Sequence, residues 1–86
     1  MQYESYTDGA SGIRFVFKRD SLDPELLHIF VRHATHPEEA IETFFAAEPS
    51  WDEKHRRFET YSDTHGIFWN WIEPGRVVMI ITCFKL

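Results

Sequence analysis

A single cysteine, Cys83, stands in the whole chain, so neither an intrachain disulfide framework nor a multi-cysteine zinc site can be built. It lies in an apolar, strand-like run with no neighbour that would lower its pKa, which predicts a buried, inert thiol. Basic residues are also scarce. Nine Lys and Arg face fourteen Asp and Glu, a formal net charge of −5, and this argues against generic, charge-driven binding to nucleic acid. Long hydrophobic runs are missing too: the longest, Val77 to Ile81, falls far short of a membrane span. The opening MQYESYTDGASG has neither the basic nor the apolar region of a signal peptide, so a cytoplasmic protein with no membrane attachment is expected. With 86 residues the chain reads as a single domain, 1–86, with too little surplus stability for a deep cavity. No cofactor is therefore expected.

Aromatic side chains, in contrast, are plentiful. Eight Phe, three Trp and three Tyr in a chain that is 43% hydrophobic predict a bulky, well-formed core. The first eleven residues, polar and with Gly9 close to Gly12, read as a loose segment or a weak edge strand. Ile13 to Lys18 then alternates with period two, as a half-buried strand does. Asp23-Pro24-Glu25 has the chemistry of a helix start, and Leu26, Leu27, Phe30, Val31 and Ala34 follow at helical spacing. A strand over Leu27 to Val31 competes with that helix.

Thr35-His36-Pro37-Glu38 has the T-x-x-E form of a capping box, and Pro37 should stop the first helix near His33 or Ala34. A second helix follows, with Ala40, Ile41, Phe44 and Phe45 on its inner face, Glu39 and Glu42 pointing away, and Pro49 at its end. Beyond the connector Ser50 to His55, three strands are expected over residues 57–62, 66–73 and 76–84, divided by turns near Asp63 to Gly66 and at Pro74-Gly75. The expected fold is α+β: one N-terminal strand, a two-helix hairpin and a three-stranded antiparallel meander, forming one sheet packed on the helices. The second sheet face is left as a groove or a surface for a homodimer.

The stretch from Asp23-Pro24 through Arg32-His33-Ala34-Thr35-His36-Pro37-Glu38-Glu39-Ala40, with Arg57-Phe58 and Thr64-His65-Gly66 later, resembles the RelE/ParE superfamily of small toxins, most of all its BrnT branch. The resemblance implies a RelE/BrnT-like fold and a metal-free endoribonuclease, ribosome-dependent or free, that blocks translation. It also implies a cognate antitoxin as partner, RNA or the ribosome as target, and no cofactor.

Metal-free RNA cleavage needs a base for the 2′-hydroxyl, an acid for the leaving oxygen and cations for the charge growing on phosphate. Lys54, His55, Arg57, Tyr61 and His65 are of the right types, and alternation places Arg57, Glu59 and Tyr61 on one strand face. His33 joins them through the resemblance, as a proton-transfer group. His33 and His36 also spell H-x-x-H, but Pro37 sends them to different elements, so no metal site is expected. Trp69 and Trp71 share a face, as core residues or as a platform for bases. A different function class remains open. The acidic stretch Glu38, Glu39, Glu42, Glu48, Asp52 and Glu53 suits a non-catalytic interaction module, of immunity or inhibitor type, that binds a basic partner protein.

Overall fold

The computed structural model describes residues 2–23 and 25–86. Two strands, β1 (Tyr3–Thr7) and β2 (Arg14–Lys18), lead into two short helices, α1 (His28–His33) and α2 (Pro37–Ala46). Four strands follow: β3 (Ser50–Asp52), β4 (Arg57–Tyr61), β5 (His65–Glu73) and β6 (Val77–Lys85). They form one sheet in the order β1-β2-β6-β5-β4-β3. Among the described residues only the β2–β6 pair is parallel, and every other pairing is antiparallel.

This six-stranded mixed sheet corrects the expected arrangement of one strand, a helix hairpin and a three-stranded meander. Two edge strands account for most of the difference. β1 turns back on β2 through residues 8–13, where the Asp8 amide donates to the Ile13 carbonyl and the Gly12 amide to the Asp8 carbonyl. Only Glu4 and Tyr6 of β1 face the helix side, and Glu4 divides its carboxylate between Arg19 at 2.8 Å and the Tyr6 hydroxyl, which donates to it at 2.7 Å. β3 was expected to be a connector. Its three residues pair with β4 from Ser50↔Glu59 to Asp52↔Arg57.

The first helix is shorter than its spacing predicts and begins at His28. Asp20 Oδ2 accepts the amides of Leu22 and Asp23, which winds the chain into a turn where the helix was expected to start. Pro24, the other half of that expected start, lies outside the described residues. Leu27 forms a single bridge with Arg19, so the competing strand tendency is used for one residue before the helix. Ala34, in left-handed geometry at φ +53°, ends α1.

Thr35 does not cap α2. It is fully buried, and its hydroxyl faces the carbonyls of Ile29 at 3.1 Å and Cys83 at 3.0 Å. The capping position falls to His36, whose amide donates to Glu39 Oε1 at 2.9 Å. These bonds fasten the helix pair to β6 where that strand outruns β2, since the parallel register ends at Phe17↔Ile80.

The core lies between the helices and one sheet face: Phe15, Phe17, Ile67, Trp69, Val78, Ile80 and Cys83, with Ile29 and Ala40 from the helices. Phe44 packs edge-on against Phe15, Trp69 and Trp71. Trp69 stacks on Phe58 and donates its indole N–H to Thr60 Oγ1. Both tryptophans are thus committed to the core side of the sheet. Phe45, expected among the packing residues, touches Phe15 and Phe44 but stays 50% exposed.

Candidate functional site on the open sheet face

With Phe15, Phe17, Ile67 and Trp69 turned to the helices, strand alternation sends the intervening side chains to the opposite face. That face carries Arg14 and Lys18 from β2, Asp52 from β3, Arg57, Glu59 and Tyr61 from β4, and Phe68 and Asn70 from β5. Phe84 of β6 belongs to it as well. Register and contacts agree: Tyr61 pairs with Gly66 and Gly66 with Phe84, and the rings of Tyr61 and Phe84 lie 6.3 Å apart.

On this face five polar side chains form one linked network. His55 Nδ1 lies 2.7 Å from Asp52 Oδ2. Arg57 Nη2 reaches the same Asp52 oxygen at 3.8 Å and Glu59 Oε2 at 3.4 Å. Tyr61 donates its hydroxyl to Glu59 Oε1 at 2.7 Å. The Arg57 guanidinium carbon sits 3.7 Å from the centre of the Phe68 ring, a cation–π contact that fixes the plane of the guanidinium. Asn70 Nδ2 donates to the Arg56 carbonyl and so holds the β3–β4 turn, in which Arg56 has φ +53°.

The electrostatics of the network assign its protons. The His55 hydrogen bond, opposed by burial, holds Asp52 below the usual carboxylate range. An ionised Asp52 can only accept, so Nδ1 of a neutral His55 carries the ring proton and Nε2 presents the lone pair. The Glu59 hydrogen bond, followed by burial, pushes the Tyr61 hydroxyl up. Tyr61 therefore remains a protonated donor at neutral pH.

Of the expected site residues, His55, Arg57 and Tyr61 come together here. His33, from the end of α1, approaches the same surface through Phe84, with ring centres 6.2 Å apart, and Phe84 in turn lies 5.1 Å from Phe68. Lys54 is exposed in the turn beside His55. His65 is not part of this group. It shares the parity of Ile67 and Trp69, so it points to the helices, where Nε2 meets Glu39 Oε2 at 2.7 Å; that parity was legible in the sequence. Glu39, expected to point away from the fold, thereby caps α2 and ties it to β5. Sequence reasoning placed Asp52 only in the acidic stretch and did not single out Phe68 or Phe84. Asp52 stands three residues before His55 across a tight turn, a spacing that puts carboxylate and imidazole together only once β3 and β4 are recognised as a hairpin.

A cleft of about 440 Å³ opens on the other side, between α2 and the β4–β5 turn, lined by Glu39, Glu42, Asp63 and His65 among others. Among the described residues no three His, Cys, Asp or Glu side chains are grouped so as to hold a metal ion. No described helix is long and apolar enough to cross a membrane. No family model matches the chain, and neither a curated protein nor a solved structure matches it significantly.

Proposed function

We propose that the open sheet face is the active site of a metal-free endoribonuclease, acting as the toxin of a toxin–antitoxin pair that blocks translation. The observation that carries this reading is the network of Asp52, His55, Arg57, Glu59 and Tyr61 on an uncovered face, with the Arg57 guanidinium laid on Phe68. It supplies the base and the cation that cleavage requires. His55, oriented by Asp52, takes the proton from the ribose 2′-hydroxyl. The resulting oxygen attacks phosphorus and displaces the 5′-oxygen, leaving a 2′,3′-cyclic phosphate. Arg57 exchanges its loose carboxylate contacts for the phosphate oxygens as charge grows there. The departing 5′-oxygen takes its proton from water, His33 lying two aromatic rings away from Arg57, while Tyr61 and Phe68 position the nucleotide. An antitoxin in such a pair would cover this face.

Cleavage of a short fluorescent RNA in the presence of a chelator tests the reading. His55→Ala and Arg57→Ala should each lower the rate by about 100-fold or more, with cyclic-phosphate ends on the wild-type products. A wild-type protein that cuts nothing, or full activity in Arg57→Ala, defeats it.

A second reading has its own observation. Two cations of the β3–β4 hairpin meet carboxylates, Arg56 at Glu53 and Arg57 at Glu59, and the His55 ring meets Asp52, while Glu39, Glu42 and Asp63 line the cleft on the opposite side. This suits a non-catalytic module that receives a lysine or arginine of a basic partner protein. Neutralising Glu42 and Asp63 together should then release a captured partner, and unchanged capture would count against it.

A further inference from the structure

Outside the network just described, α1 brings a second group of ionisable side chains to the rim of the open face. Asp20 has a side chain only 1% exposed; its Oδ2 accepts two backbone amides, and its Oδ1 makes no hydrogen bond. Toward that oxygen stand His28 Nδ1 at 3.8 Å and Arg32 Nε at 3.9 Å. Both separations are too long for hydrogen bonds. The buried carboxylate thus faces an imidazole and a guanidinium without consuming their donors, and Arg32 remains 53% exposed. The His33 ring lies 6.4 Å from His28 on one side and 6.2 Å from Phe84 on the other. A continuous series of contacts therefore runs from Arg57 over Phe68, Phe84 and His33 to His28.

We propose that Arg32, with His28 beside it, is a second phosphate subsite, which binds a single-stranded RNA extending beyond the cleaved bond over the Phe68 and Phe84 rings. Stacking of bases on aromatic rings between cationic ends is how proteins hold single strands with little sequence preference. The inference rests on the ribonuclease reading for its choice of ligand. Burial, and then the nearby Arg32 charge, lower the pKa of His28, so at neutral pH Arg32 supplies the standing charge and His28 adds a contact. Asp20 acts through these two as a positioning residue.

The experiment uses 2′-O-methyl oligonucleotides of two and six nucleotides, which lack the attacking hydroxyl and so bind without being cut. In fluorescence anisotropy, Arg32→Ala should weaken the hexamer by about five- to tenfold, leave the dinucleotide unchanged and make the salt dependence of hexamer binding shallower by about one unit of log–log slope. Arg32→Lys should recover much of the loss. Far-UV circular dichroism confirms that the exposed-site variants fold. If wild type cleaves RNA but Arg32→Ala and His28→Ala bind the hexamer as it does, the subsite is overturned and the ribonuclease reading stands. If wild type cuts nothing yet loses hexamer affinity in Arg32→Ala, the reading fails and the subsite stands. If wild type binds neither oligonucleotide, the subsite fails.

Discussion

At Gly66 a Cβ would lie 2.6 and 2.7 Å from the Phe84 ring and 2.9 Å from Tyr61 Cδ1. Both neighbours are rings on the open face, and neither has a flexible tail that could swing aside. Gly66→Ala should therefore cost about 1–3 kcal/mol of stability by overpacking, read from the midpoint of urea denaturation, and it should displace Tyr61 and Phe84 from the candidate site. Unaltered stability would show that the rings move at no cost. Thr35 makes a complementary case. Its one hydroxyl hydrogen is shared between the Ile29 and Cys83 carbonyls, and Val has the same shape without it. Thr35→Val should cost about 1–3 kcal/mol because buried carbonyls lose a donor, with amide exchange at the end of β6 rising most. The sequence marks Thr35 as a polar residue next to a helix boundary, which local rules read as a cap. Only the tertiary position of β6 makes it a bridge.

At the scale of elements, α2 depends on a carboxylate that works twice. Burial raises the pKa of Glu39, but the His36 amide and then the His65 imidazole outweigh it, and the net shift is downward. A carboxyl with a depressed pKa in the folded state stabilises the fold above its unfolded pKa, and that contribution is lost as pH falls through the folded value. Thermal stability should thus decline as pH is lowered through the carboxylate range. In Glu39→Gln, which keeps an acceptor for the His36 amide, the decline should be flatter and the stability at neutral pH lower by about 0.5–1.5 kcal/mol. A pH profile parallel to that of wild type would deny Glu39 this role. The existence of α2 was legible from Pro37, the Glu pair and the spacing of Ala40, Ile41 and Phe44. Its partner helix was less so, because the buried Asp20 carboxylate wound residues 20–23 into a turn that Asp23-Pro24 alone does not reveal. In the same way the alternation of Arg57, Glu59 and Tyr61 announced one face of the site, while His55 joined it only through a β3–β4 hairpin three residues long on one side.

For the whole molecule, the mixed sheet depends on what lies at its ends. β2 is the one strand joined to its neighbour β6 in parallel, and its outer side is closed by β1 alone, through five paired residues, the Tyr6 ring 5.7 Å from Phe17 and the Arg19 amide bonded to the Gln2 carbonyl. The sequence hides this dependence. β1 sends only Glu4 and Tyr6 toward the helix side, so it carries almost none of the apolar alternation by which a strand is recognised, and its register is set by the turn over residues 8–13 and by its partner. Phe17, wholly buried, would lose part of its cover if β1 were removed, and the freed edge of β2 would offer unpaired amides and carbonyls to other chains. Deleting residues 2–8 should therefore lower the urea midpoint by the equivalent of about 2–4 kcal/mol, from lost apolar burial and ladder hydrogen bonds. The slope of the transition should fall with the smaller surface exposed on unfolding. Size-exclusion chromatography should also show concentration-dependent oligomers. A deletion variant that keeps both midpoint and slope and elutes as wild type does would mean that β1 folds outside the cooperative unit and that β2, with α1 and β6 at its side, closes the sheet without it.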